Sequence, residues 1–429
     1  MSVREGNEKS KNMAEMSPPD GNRRAGRKGN KRSGTVADFR YKSSPPPETK
    51  SKERRARRDG ASRNRNNGKA AEPASARAAR SPRPMHKPHG GPRYRQAYAA
   101  LDLGTNNCRL LIARPSGENF TVIDAFSRVV KLGEGLAHSG RLSDDAMDRA
   151  LGALKVCSDK LRRRNVYLAR SVATEACRRA SNGEDFIQRV KDETGIVLDI
   201  ITAEEEARLA VLGCHVLLEQ GEGRAVIFDI GGGSTELVLI EPNGRGVPRI
   251  LDWQSVPWGV VSLSDTVAKT DRGQEARLAR YAEMRRVVGE SFTPFAERVA
   301  QHAGQPDIRL LGTSGTVTTL ASLHLELPQY DRRAVDGLIV PSQVMRDISL
   351  RLSAMSVDER CTLPCIGQDR AELVVAGCAI LESIIDLWPA EKLGVADRGI
   401  REGILRSLMA GDFATARDRK AMDETRKAQ

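Results

Sequence analysis

Apolar positions divide this chain into one sparse stretch followed by four patterned blocks. Residues 1–96 hold almost no apolar runs, and their only aromatics are Phe39, Tyr41 and Tyr94. Such a segment cannot bury enough surface to offset its backbone entropy, so a disordered tail is expected there. From Ala97 the texture changes. Tyr98–Ile112 is an apolar run broken once, by Gly-Thr-Asn-Asn, which predicts strand, tight turn, strand. Thr121–Leu132 predicts a further strand. Ser143 opens a helix, with Asp144 and Asp145 at its positive dipole end and Met147, Leu151, Leu154 and Leu161 along one face. Ser171–Thr174 and Ile196–Ile201 read as short strands, and Thr202-Ala203-Glu204-Glu205 as a capping box opening a helix to about Leu218. Ala225–Ile240 repeats the strand-turn-strand pattern. Arg309–Leu323 predicts strand-turn-helix, and Ala371–Trp388 one long helix.

The order is therefore β-rich, α/β, β-rich, α/β, an internal duplication in outline. It predicts an α/β protein of two similar domains, 97–220 and 221–410, flanking a cleft, with a polar C-terminal tail at 411–429.

The two hairpins share more than outline. Placing Asp102 over Asp229, an offset of 127 residues, brings Gly104 onto Gly231, Asn107 onto Ser234 and Arg109 onto Glu236. Each copy is an apolar strand ending in Asp, a glycine turn with small polar residues, and a second apolar strand. Glycine permits positive φ and close backbone approach to an anion. Successive N–H groups of such a turn form an anion-binding nest, and an Asp at the strand end can hold a divalent cation. One copy could be an ordinary hairpin turn; two in register point to phosphate and metal. The expected phosphate contacts are Gly104, Thr105, Asn106, Gly231, Gly232, Gly233, Ser234 and Thr235. Gly312, Thr313 and Gly315, at a third Gly-rich loop entering a helix, extend that set, although close helix packing would explain them equally.

Charge sharpens this picture. Over residues 1–96, 26 Lys and Arg face 9 Asp and Glu, a net of +17; the whole chain carries +13, leaving −4 for the remainder. The basic character belongs to the tail, which is either a solvated arm or a polyanion-binding one, for polyphosphate or RNA. It lacks interleaved aromatics, which argues against base stacking. The seven cysteines show no C-x-x-C spacing and read as reduced core thiols. The N-terminus lacks an apolar h-region, and no window suits a membrane span, so a cytoplasmic protein without membrane contact is expected.

Further stretches carry a family resemblance: Ala173-Thr174-Glu175-Ala176-Cys177-Arg178, Glu204-Glu205-Glu206-Ala207-Arg208, Gly312-Thr313-Ser314-Gly315-Thr316, Arg370-Ala371-Glu372, Gly377 and Asp397-Arg398-Gly399-Ile400-Arg401-Glu402-Gly403. With the two hairpins, these make the chain, from about Ala97 to Leu408, resemble the exopolyphosphatase and guanosine pentaphosphate phosphohydrolase (Ppx/GppA) family in its short, two-domain form. The family's R-A-D is R-A-E here, and the basic tail is outside the family pattern. The resemblance implies two duplicated actin/hexokinase-like (ribonuclease H-like) domains. It also implies release of terminal phosphate from polyphosphate or conversion of pppGpp to ppGpp, Mg²⁺ or Mn²⁺ as cofactor, and a homodimer.

The same resemblance places the water-activating carboxylate at Glu206. Local chemistry points the same way: Glu205 has a capping duty and Glu204 a helical partner in Arg208, whereas Glu206 has neither. Glu205 remains the alternative. Asp229 and Glu236 are the expected metal carboxylates, with Asp102 opposing them. Arg109 and Arg178 are expected guanidinium clamps on phosphate, surface ion pairs being the plainer use of either. Two rival functions remain: an ATP-dependent kinase of the same superfamily, and a polyanion- or RNA-binding protein with an inactive core.

Overall fold

The computed structural model describes residues 96–413, except 118, 219–220, 222, 245, 269–272 and 304–307. The tail expected at 1–96 lies outside the described residues but for Gln96, as does everything after 413.

The chain opens with β1 (Ala97–Leu103), β2 (Asn107–Ser116) and β3 (Asn119–Val129). Two helices follow, α1 (Leu136–Ser139) and α2 (Asp144–Arg163), then β4 (Val166–Ala173), α3 (Glu175–Arg179), α4 (Gly183–Thr194), β5 (Asp199–Ile200) and α5 (Ala203–Cys214). A second run begins with β6 (Ala225–Ile230), β7 (Thr235–Glu241) and β8 (Arg249–Val256), followed by α6 (Val260–Thr266) and α7 (Gly273–Ala303). Next come β9 (Arg309–Thr313), α8 (Gly315–His324), α9 (Arg332–Val335), β10 (Ile339–Pro341) and α10 (Ser342–Ala354). The chain continues through α11 (Val357–Cys361), α12 (Gln368–Ala371), α13 (Val374–Leu387) and β11 (Lys392–Ala396), and residues 400–413 form a last helix.

These strands build two mixed sheets, ordered β3-β2-β1-β4-β5 and β10-β11-β9-β6-β7-β8. In each, three antiparallel strands from consecutive hairpins are extended by parallel ones: β1 with β4 and β5, and β6 with β9 and β11. Every residue of β1 is buried, as befits a central strand covered on both faces. Alternation sorts its side chains. Leu101 and Leu103 join Leu110 and Ile112 against Met147, Leu151 and Leu154 of α2. Tyr98 and Ala100 join Leu111 against Ile404, Leu405 and Met409 of the last helix. In the second sheet, Val226 and Phe228 meet α7 and α13, while Ile227 and Val238 meet Ala207, Val211 and Cys214 of α5.

Leu209 of α5 joins the cluster on the first sheet, so α5 touches both sheets. It also crosses the last helix at two glycines. A Cβ on Gly213 would stand 2.0 Å from the Gly399 carbonyl oxygen, and one on Gly403 would stand 2.0 Å from that of Leu209. Only glycine allows backbones this close.

Several local expectations change. β4 begins at Val166, earlier than its apolar tail Ser171–Thr174 suggested, because its first residues alternate half-exposed with exposed. β5 is reduced to two residues at a sheet edge. The long helix expected at Ala371–Trp388 is found as α13 and starts three residues later, because Ala371 ends the short α12 and residues 372–373 form a turn. Residues 411–413, placed in the polar tail, continue the last helix, and Tyr98 donates its hydroxyl to Asp412 at 2.7 Å. Thr202 accepts the Glu205 N–H at 3.2 Å, but Glu205 does not reach back, so only half of the capping box forms. Five cysteines are buried, with Cys361 and Cys365 half-buried. No helix among the described residues is long and apolar enough to cross a membrane.

Candidate active site

The two glycine turns fold alike. Leu103 pairs with Cys108 and Ile230 with Thr235, and the Gly104 and Gly231 N–H groups each donate at 2.9 Å to the carbonyl three residues on, Asn107 and Ser234. Their remaining carbonyls are taken from outside. Gly133 donates to Thr105 O, and Val130 and Lys131 donate to Asn106 O. In the second turn, Val260 donates to Gly231 O and Val261 to Gly232 O, while the Ser262 hydroxyl donates to Gly233 O. The N–H groups of Thr105, Asn106, Gly232 and Gly233 have no acceptor among the described residues. Backbone donors are seldom left unpaired in a fold. Four of them on two apposed turns make a ready anion cradle.

The turns also meet. A Cβ on Gly232 would stand 2.9 Å from Thr105 Cβ, and one on Gly233 would stand 2.6 Å from Thr105 Oγ1. Side-chain oxygens here are orphaned too: Asp102 Oδ1, Thr105 Oγ1 and Asn106 Oδ1 are buried without a hydrogen-bond partner. A recess lined by Thr105, Glu175, Arg179, Gly233 and Ser262 abuts both turns.

Asp102, Glu206, Asp229 and Glu236 gather around the turns, with exposures of 9%, 6% and 2% for Asp102, Glu206 and Glu236. In the ladders, Asp102 faces Arg109 and Asp229 faces Glu236. Burial raises all four carboxyls; repulsion within the set adds to it at Glu206 and Asp229, whereas Glu402 adds to it at Asp102 and Glu175 at Glu236. Asp229 is pushed up to about 8 by burial and then by Glu236, with Arg109 pulling the other way. Glu206 stands well above the usual range through burial and Glu236, against Arg178. Buried carboxyls with shifted titration concentrate at functional sites.

The two candidate glutamates separate clearly. Glu205 turns away and binds Arg170 at 2.7 Å and Arg208 at 2.6 Å, which hold its carboxyl below the usual range, Arg208 most. The expected Glu204–Arg208 pair is therefore replaced by Glu205–Arg208. Glu206 faces inward, and both Arg178 terminal nitrogens lie 3.2 Å from its Oε2.

Other expected residues shift in meaning. Arg178 is not an open clamp: its guanidinium donates to Glu206, Glu175 and the Ile201 carbonyl. Arg109 makes no ion pair among the described residues, and its charge reaches Asp102, Asp229 and Arg370. The Thr235 hydroxyl donates to the Trp258 carbonyl at 2.6 Å, leaving its side chain in a packing role. Gly312 lies inside β9, where a Cβ would stand 2.5 Å from the Phe228 ring, so packing explains this glycine. Thr313 donates to the Arg398 carbonyl at 2.7 Å, and Gly315 opens α8 beside the Arg370 guanidinium.

Four residues escaped the sequence-level site. Glu175 is buried against Arg178 and Arg179. Arg401 carries charge to Asp102 without an ion partner among the described residues. Arg370, lowered by burial and by Arg109, donates to Thr319 Oγ1 at 3.0 Å. Ser255 donates to Glu236 at 2.8 Å. The first three stand in the motifs quoted above, a usable signal; Ser255 has none until the β7–β8 register is known.

The fold has counterparts in solved structures. The Aquifex aeolicus member of the Ppx/GppA family is 28% identical, with 74% of this chain and 98% of that one covered and a TM-score of 0.59. The type II variant of the Aquifex aeolicus Ppx/GppA phosphatase is 30% identical, covering 73% and 99%, with a TM-score of 0.56. An exopolyphosphatase from Cytophaga hutchinsonii is 26% identical, covering 74% and 98%, with a TM-score of 0.65. A model of the Ppx/GppA phosphatase family matches residues 111–411, well over half of the chain. The chain belongs to the Ppx/GppA phosphatase family.

Proposed function

We propose that this protein is a phosphoanhydride hydrolase that removes the terminal phosphate of inorganic polyphosphate, of pppGpp, or of both. The observation that carries this reading is the buried Asp102, Glu206 and Glu236, with half-buried Asp229, beside two turns whose N–H groups lack acceptors among the described residues. Family membership and the likeness to a Cytophaga hutchinsonii exopolyphosphatase support it. We read the matching strand orders β3-β2-β1-β4-β5 and β8-β7-β6-β9-β11 as duplicated actin-like domains, expected at 97–220 and 221–410, with the last helix, from residue 400, packed back on the first sheet.

Hydrolysis of a phosphoanhydride demands position and charge more than covalent chemistry. The unpaired N–H groups of Thr105, Asn106, Gly232 and Gly233 grip phosphate oxygens. Arg109, free of carboxylate partners among the described residues, stands ready for a further phosphate. Glu206, raised by burial and held by Arg178, accepts a proton from the attacking water; its high affinity for that proton suits a general base. Glu175 shares Arg178 with Glu206, so the guanidinium fixes Glu206 without neutralising it alone.

Asp229, Glu236 and Asp102 fit a hard divalent cation, Mg²⁺ or Mn²⁺. Asp102 Oδ1 is orphaned, and Glu236 Oε2 accepts no hydrogen bond among the described residues. No three carboxylates converge into a ready cage among the described residues. Mg²⁺ needs none, since it keeps several waters and shares substrate phosphate oxygens. When bound, the cation supplies charge neutralisation and polarisation of the phosphate.

The tail's net +17 would recruit polyanionic substrate through counterion release. The test is phosphate release from long polyphosphate and from pppGpp with Mg²⁺, with and without residues 1–96. Release from either supports the reading. Background release from both, or transfer of labelled phosphate from ATP to an acceptor in its place, overturns it.

A further inference from the structure

Glu236 carries two hydroxyl donors on a single oxygen. Ser234 Oγ donates to Oε1 at 2.7 Å, and Ser255 Oγ donates to the same atom at 2.8 Å. Ser234 belongs to the phosphate turn, where its carbonyl is already fixed by the Gly231 N–H. Ser255 comes from β8, outside both phosphate hairpins, and stands directly opposite Glu236 in the β7–β8 ladder. Its role there is not explained by substrate contact or by core packing.

We infer that Ser255 is a positioning residue for the cation site, holding Glu236 so that Oε2 is the oxygen offered to the metal. The inference rests on the reading above that Glu236 helps hold a divalent cation. The terminal torsion of a glutamate is broad, so the plane of an unrestrained carboxylate swings through a wide range of angles. Two hydrogen bonds to one oxygen remove that freedom, and each is strengthened by the carboxylate charge. The register does the rest: β8 can place a hydroxyl on Glu236 only from the directly opposed position, and its neighbours Gln254 and Val256 project to the other face. Partners that orient a metal-binding side chain typically contribute about 10–100-fold in metal affinity.

The test uses the full-length, metal-free protein and Mn²⁺ alone, with bound metal read from the loss of the free Mn²⁺ electron paramagnetic resonance signal. The wild type is expected to bind, and Glu236→Gln to lose most binding. Ser255→Ala should bind about 10–100-fold more weakly, with the unfolding midpoint of the metal-free protein unchanged. Ser255→Thr, which keeps the hydroxyl, should restore wild-type affinity. Wild-type Mn²⁺ affinity in Ser255→Ala alongside a weakened Glu236→Gln overturns the inference and leaves the cation reading standing. Failure of the wild type to bind Mn²⁺, or full binding by Glu236→Gln, overturns the cation reading and this inference with it.

Discussion

Glu236 stands across the β6–β7 ladder from Asp229, at the position where Arg109 stands across β1–β2 from Asp102. The two hairpins thus share register and turn geometry but differ in charge. One pairs acid with acid, the other acid with base. Asp229 is accordingly pushed up to about 8, by burial first and Glu236 second, whereas Arg109 and Arg401 oppose the rise at Asp102.

That difference sets a pH dependence for the metal-free protein. Asp229 has an ordinary value of 3.8 and is raised to about 8 in the fold. A group raised on folding contributes stability that is complete below the unfolded value and is lost as pH climbs through the folded one. Glu206, Glu236 and Asp102 are raised too and act in the same direction. Carboxyls held low by ion pairs, such as Glu205, act only in the acid range. Thermal unfolding in EDTA should therefore show a lower midpoint at about pH 8.5 than at about pH 6, with Mg²⁺ or Mn²⁺ recovering part of the loss. A midpoint that rises with pH would contradict the shift.

The helix crossing makes a prediction independent of function. Gly403→Ala forces a Cβ to within 2.0 Å of the Leu209 carbonyl oxygen, and should destabilise by about 1–3 kcal/mol or more, the usual cost of overpacking. Gly152, exposed in α2 with nothing within 4 Å of the place a Cβ would take, is the control. Gly152→Ala should stabilise by roughly 0.5–1 kcal/mol, through helix propensity. Denaturant unfolding of both variants reads the contrast.

Arg178 separates orienting a base from gripping substrate. Because its guanidinium is committed to Glu206 and Glu175, Arg178→Ala should lower kcat more than it raises KM. Arg109→Ala, which removes a cation without an ion partner among the described residues, should act mainly on KM. Steady-state kinetics on polyphosphate distinguishes the two, and equal KM effects would return Arg178 to the role of a simple phosphate clamp.

Much of the fold was legible because the strongest signals are local. The hairpins at 98–112 and 225–240 announce themselves by an apolar run broken at glycine, and the Ser143 cap is found where expected, accepting the Ala146 N–H. What sequence could not give depends on partners distant in the chain. The choice between Glu205 and Glu206 turns on Arg170 and Arg178, each 28 or more residues away. Gly312 reads as a phosphate-loop glycine but answers to the Phe228 ring from another strand. Ser255 acquires meaning only through ladder register. The half-formed capping box shows the same competition, since two arginines hold the carboxylate that would otherwise accept a backbone N–H.

Activation of water by Glu206 is tested by phosphate release from long-chain polyphosphate with Mg²⁺, compared between the wild type, Glu206→Gln and Glu205→Gln. The wild type should release phosphate, Glu206→Gln should fall by roughly 10²–10⁴-fold with an unchanged fold, and Glu205→Gln should stay close to wild type. Wild-type turnover in Glu206→Gln, or a collapse confined to Glu205→Gln, would remove Glu206 from the role of general base.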